Sequence, residues 1–236
     1  MAGLDLARSA ALVGMAVYHF GYDLEMFGVV APATMLSPFW AGFARAVAGS
    51  FLFLAGIGLW LAHGRQFRRR AFLVRLAKIG AAALLVSLIT RAAQGEYYVF
   101  FGILHSIALS SVLALIFLRL PVLLTVVAAV AVGIAPRYVS GGVFDAGWLV
   151  WTGLSGRPVL AVDFVPTFPW LAPVLLGLAV ARIADAQGLW ARWRRPAGSA
   201  TLAVLGWPGR HSLLVYLIHQ PVLIGLLWLA IRLGAI

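Results

Sequence analysis

The chain has 236 residues, 63% of them hydrophobic and only 11% charged, with a mean hydropathy of +1.00. That leaves too little polar surface for a soluble domain and marks an all-α, polytopic integral membrane bundle. The net charge of +11 is grouped between apolar runs, which speaks for membrane orientation and against a nucleic-acid partner, and the lack of cysteine removes disulfides, thiol nucleophiles and cysteine metal sites.

About seven apolar runs are long enough to cross a hydrocarbon core of roughly 30 Å. They lie near 5–29, 39–62, 71–93, 100–118, 121–136, 167–184 and 211–233, and the fifth is short for a full crossing. No internal repeat, low-complexity tract or second domain interrupts them, so 1–236 reads as one transmembrane domain in the lipid bilayer.

The first run carries Asp5, Arg8, His19, Asp23 and Glu25 in or beside an otherwise apolar helix. Ionisable residues in a membrane helix are costly and mark functional sites by default. Arg8 and His19 are eleven residues apart, about 1100° of turn, so their directions differ by only about 20°. Asp23 is one turn beyond His19 and within its reach. With an unpronounced basic start and a histidine in its core, this run reads as a retained span and not as a signal peptide.

In the second run Gly42, Ala46 and Ser50 form a small-residue stripe suited to close helix packing. The stripe would serve a homodimer as well as an intramolecular contact. Between runs two and three stand Arg65, Arg68, Arg69, Arg70, Arg75 and Lys78, and between six and seven Arg192, Arg194, Arg195 and Arg210. With seven spans these loops share a side, which the positive-inside rule makes cytoplasmic, together with the N-terminus. Beyond setting topology, Arg65, Arg68, Arg69 and Arg75 are candidates for a phosphate-binding rim. His63 and His211 flank spans and read as interfacial.

The fourth run holds His105. The stretch 137–166 is long for a compact membrane domain, falls outside on this topology, and contains Trp148, Trp151, Arg157 and Asp163. Residues 185–210 form the second cytoplasmic loop. The last run contains Tyr216, His219, Gln220 and Pro221, with Ser212, Tyr216 and His219 on one face. No H-x-x-x-H or H-E-x-x-H pair supports a metal site made from the histidines.

On an upright first helix His19 lies about 16 Å along the axis from Arg8. Arginine at one end and histidine at the other suit a long substrate with a charged head in the cytoplasm and a reactive end in the membrane. Acyl-coenzyme A has that shape. Histidine can take a proton from an incoming hydroxyl or amine, and Asp23 can hold its ring in one tautomer. Without a serine or cysteine elbow, direct transfer with His19 as general base is favoured over a covalent acyl-histidine. The competing reading is a small transporter or flippase with a His/Asp proton relay, although matching interrupted helices are not evident.

Several stretches carry a resemblance. Leu4-Asp5-Leu6-Ala7-Arg8, Met15-Ala16-Val17-Tyr18-His19-Phe20, Asp23-Leu24 and Phe27-Gly28 open the chain. Phe101-Gly102-Ile103-Leu104-His105, the segment from Asp163 through Pro166 to Trp170, and Leu214 to Pro221 follow in order. Together they resemble the heparan-alpha-glucosaminide N-acetyltransferase catalytic domain family, within the wider transmembrane acyltransferases. The resemblance implies a multi-pass enzyme taking acetyl from cytoplasmic acetyl-CoA to an amino sugar or cell-envelope glycan on the far side. It makes His19 catalytic, Asp23 its motif carboxylate and Arg8 the superfamily arginine. His105, Asp163, Trp170 and His219 are the candidate acceptor contacts. Ser9 departs from the family, which usually has glycine after the arginine. The chain is shorter than the lysosomal members, and its Ala, Arg and Leu content fits a bacterial inner membrane.

Overall fold

The computed structural model describes residues 1–190 and 200–235, and these are predominantly helical, with no strand among the described residues. Nine helices are described: α1 (Ala2–Met26), α2 (Pro38–His63), α3 (Arg69–Gln94), α4 (Ile103–Leu113), α5 (Val122–Tyr138), α6 (Thr167–Ala186), α7 (Ala200–Leu205), α8 (Trp207–Arg210) and α9 (Ser212–Arg232). The seven expected runs correspond in order to α1–α6 and α9. Their ends obey local rules. Pro38 occupies the first position of α2, where a missing N–H costs nothing, and Pro121 precedes α5. Gly95 ends α3 at φ +60°, a backbone that a side chain resists.

Among the described residues four helices are long and apolar enough to cross a membrane: α2, α3 with its following turn (Arg69–Tyr97), α6 and α9. The fourth run is shorter than expected as α-helix, because α4 passes into a 3₁₀ stretch, Ala114–Leu118. A stripe of Leu84, Leu85, Leu88 and Ile89 on α3 is exposed, as a lipid-facing surface would be.

The chain divides into two compact units, Met1–Phe51 with Trp190–Ile236, and Leu52–Leu189. In the first, α1 packs against α7, α8 and α9. A Cβ on Gly209 would run into the Asp5 carbonyl oxygen, so only glycine lets α8 come this close. The Gly209 N–H belongs to the unpaired first turn of a short helix, and Ser9 Oγ accepts it at 2.9 Å. The departure at position 9 thus serves helix packing. Glu25 accepts the N–H groups of Ala33 (2.9 Å) and Met35 (2.8 Å) and pins the turn after α1.

In the second unit α5 lies along α6, and α4 packs against α3 and α6. A Cβ on Gly56 would meet the Val174 carbonyl and, at 2.9 Å, the Leu178 nitrogen; one on Gly177 would meet the Phe53 carbonyl. These backbones therefore touch. This corrects the expected stripe: Gly42 has open space around it, Ala46 is exposed, and Ser50 bonds its own helix at Val47 O. Spacing revealed a small-residue face but not which face meets a neighbour.

Three further expectations change. The stretch 137–166 is not structureless. It forms 3₁₀ turns at Gly142–Asp145 and Gly147–Thr152, tied by Gly141 N–H to Leu154 O (2.9 Å) and by Asp145, which accepts from Gly156 N–H (2.8 Å) and Ser155 Oγ (3.0 Å). Those two bonds, that from Gly156 first, hold the Asp145 carboxyl below its ordinary range. His63, expected at the membrane interface, is covered by protein at the end of α2: its ring packs on Phe67 and Phe72, and Nδ1 accepts the Arg68 N–H at 3.4 Å. Finally, the described part of 185–210 is largely helical, as α7 and α8, while Arg192, Arg194 and Arg195 lie outside the described residues.

Candidate functional site

In the first unit two polar rungs join α1 to α9. The His19 and His219 rings meet edge to face with centroids 5.0 Å apart. Beside them Gln220 Nε2 donates to Asp23 Oδ1 at 2.6 Å. Asp23 is fully buried, in helices whose other residues are mostly apolar. Its Oδ2, His219 Nε2 and Gln220 Oε1 are all buried without a hydrogen-bond partner among the described residues. Such groups cost about 1–3 kcal/mol each when left unpaired, so three in one place call for a function.

The structure thus brings together His19, Asp23 and His219, three of the expected residues. It alters their expected relation, because the carboxylate is held by Gln220 on the neighbouring helix and does not bond the His19 ring. Gln220 was not expected. The available signal was a primary amide next to Pro221 inside an apolar helix, where the proline leaves the Leu217 carbonyl without its usual donor. Tyr18 and Tyr216 stand beside the two histidines, with ring centroids 5.8 Å from His19 and 5.6 Å from His219. His211, one turn before this region, is exposed and stacks on Trp207 at 4.7 Å.

Arg8 is also in this unit, half-exposed, with NH1 3.5 Å from Asp5 Oδ1 one turn away. The other candidate phosphate ligands belong to the second unit. Arg65 pairs with Asp185 at 3.2 Å, and Arg68 donates through Nε and NH2 to Ala62 O, closing the end of α2. Arg69 is exposed in the first turn of α3, and Arg75 lies two turns along that helix beside His63.

The second unit also joins His105 and Asp163, at the start of α4. Phe101 pairs with Phe164 in a parallel bridge, and Val165 N–H donates to Phe101 O at 2.9 Å. This carries Asp163 to the helix, where Oδ2 accepts the Ile103 N–H at 3.2 Å. His105 Nδ1 accepts the Gly102 N–H at 3.3 Å, so its proton is on Nε2, which faces Ser87 Oγ at 3.4 Å; that hydroxyl donates to Val99 O at 2.6 Å. Both nitrogens of His105 are thus engaged in holding the N-terminus of α4. Trp170 stands half-exposed in the first turn of α6. Among the described residues no three His, Asp or Glu side chains gather as a metal site needs.

Burial lifts the Asp163 carboxyl to about 6, against a smaller opposing effect of the Ile103 bond. A carboxyl raised in the folded state binds its proton more tightly than in the unfolded chain, so its contribution to stability falls as pH rises through the interval from about 4 to about 6. Asp163→Asn keeps an acceptor for Ile103 and cannot ionise. The thermal midpoint of the variant should therefore gain on wild type across that interval. Parallel pH curves would show that the carboxyl is not perturbed.

A family model described as heparan-alpha-glucosaminide N-acetyltransferase, catalytic, matches residues 1–221. No curated protein and no solved structure matches the chain. The matched region takes in nearly the whole chain, including both rungs of the α1–α9 site, and the chain therefore belongs to the heparan-alpha-glucosaminide N-acetyltransferase catalytic family.

Proposed function

We propose that the protein is an integral-membrane acyltransferase that moves acetyl from acetyl-CoA to an amino sugar or other cell-envelope glycan across the bilayer. The observation that carries this reading is the pair of polar rungs between α1 and α9, where His19 meets His219 and where buried acceptor atoms have no partner among the described residues. Family membership supplies the reaction class.

In this reading His19 takes a proton from the acceptor as its nitrogen or oxygen attacks the thioester carbonyl, and passes it to the sulfur of coenzyme A, which leaves as thiol. Asp23, fixed by Gln220, offers its second oxygen to the acceptor or to the imidazolium that forms. Arg8, on the same helix as His19, suits a phosphate of the donor once it leaves Asp5. The donor is placed in the cytoplasm, with the N-terminus, and the membrane is taken as a bacterial inner membrane.

Calorimetric titration of acetyl-CoA into detergent-purified protein tests the donor assignment. Micromolar binding is expected, weakened about tenfold in Arg8→Ala, the loss of roughly one charge-assisted hydrogen bond. Folded protein that takes up no donor at millimolar concentration would remove acetyl-CoA from the account.

A further inference from the structure

The neutral His219 ring has its tautomer fixed by its surroundings. Its Nδ1 faces the carbonyl oxygen of Tyr216, which only accepts, so Nδ1 carries the hydrogen and Nε2 the lone pair. That lone pair is buried and without a partner among the described residues, as are Asp23 Oδ2 and Gln220 Oε1 of the neighbouring rung. Three acceptors without a donor are complementary to a donor-rich group, and an ammonium is the simplest. The carboxylate adds the charge such a group needs.

Proton bookkeeping gives the second histidine a task. An amino-sugar nitrogen titrates much as α-amino groups do, at about 8, so at neutral pH it arrives mostly as the ammonium. It must lose one proton to gain a lone pair and another once the new bond forms. A hydroxyl acceptor has only one to lose. Two imidazoles with centroids 5.0 Å apart match the amine's requirement.

We infer that His219 takes the first proton from the acceptor ammonium through Nε2, leaving His19 to handle the second. This rests on the acetyl-transfer reading above. The ammonium gives a proton to His219 and becomes the free amine. Its lone pair forms the C–N bond at the thioester carbonyl carbon, the C–S bond breaks, and the electron pair stays on sulfur. The second nitrogen-bound proton passes through His19 to the thiolate, which departs as thiol. His219 releases its proton to solvent, and nothing is oxidised or reduced. The Tyr216 carbonyl accepts from Nδ1 in both states of His219, so the ring need not turn when it becomes charged.

The groups that share this environment are His19, Asp23 and Tyr18 on α1 and Tyr216 on α9 itself. The adjoining α8 brings Arg210, whose guanidinium is engaged with Ala203 O at 2.6 Å.

The experiment compares wild type with His219→Gln, both reconstituted as full-length protein, transferring acetyl from acetyl-CoA to glucosamine at pH 6 and pH 9. The variant should lose about 100-fold in kcat/KM at pH 6, where the acceptor is charged, and recover to within a few-fold at pH 9, where it is already free. His19→Gln should be impaired at both. If His219→Gln folds poorly, His219→Ala assayed with added imidazole replaces it, and restoration by imidazole at pH 6 alone supports the role. Equal loss at both pH values, or no loss at pH 6, overturns it while leaving acetyl transfer intact. A wild type that acetylates glucosamine at neither pH removes the reading beneath it as well.

Discussion

His19→Ala should fold, bind acetyl-CoA with wild-type affinity and lose transfer by about 10²–10⁴-fold, the usual contribution of a positioned general base. The expectation follows from where the ring lies. His19 touches His219 and Tyr18 through ring edges and holds no backbone group among the described residues, so its removal takes away a proton acceptor and no described hydrogen bond. His105 is the useful contrast. Its two nitrogens engage Gly102 and Ser87, so its alanine variant is expected to disturb the start of α4 first. A labelled-acetyl transfer assay, with donor binding measured on the same preparation, decides the matter. Normal transfer by His19→Ala would return the site to a packing role.

Gly177→Ala should lower stability by about 2–3 kcal/mol, the cost of forcing an extra methyl into a closed contact. The added Cβ would land on the Phe53 carbonyl oxygen, and a backbone atom cannot swing aside as a side chain can. For a chain of this size the loss reads as a fall of roughly 5–10 °C in the thermal midpoint. Gly42→Ala provides the control, since that position has open space and alanine suits a helix better than glycine by up to about 1 kcal/mol. Equal midpoints for the two variants would mean that the Phe53 and Gly177 backbones do not meet as closely as described. Gly56 lies in the same contact, so its substitution should not add fully to that of Gly177.

The helices were legible because bilayer-length apolar runs, Pro38, Pro121 and Gly95 are local signals that packing has no reason to override. The alignment of Arg8, His19 and Asp23 was legible for the same reason, since helix periodicity needs no knowledge of a partner. Partner choice was another matter. Asp23 has His19 one turn away, yet its carboxylate bonds Gln220 nearly two hundred residues along the chain, because an amide on a packed neighbour reaches it in better geometry. His63 reads as interfacial from its place at the end of a run, but the two phenylalanines of the next turn fold over it. His105 and Asp163 were visible as polar residues in matching stretches. Their service to the N-terminus of α4 depends on a crossing of 97–101 with 162–165 that no periodicity encodes.

The hydroxyl of Ser9 is the sole described acceptor for the Gly209 N–H, and both are buried. Glycine at position 9 would leave that N–H with nothing to bond, while any larger residue at 209 would drive α8 off the helix that carries the serine. The two positions are therefore coupled: a change at either one alone weakens the seat of α8 on α1, so the docking distance between the two ends of the chain is set by a residue pair and not by either residue singly.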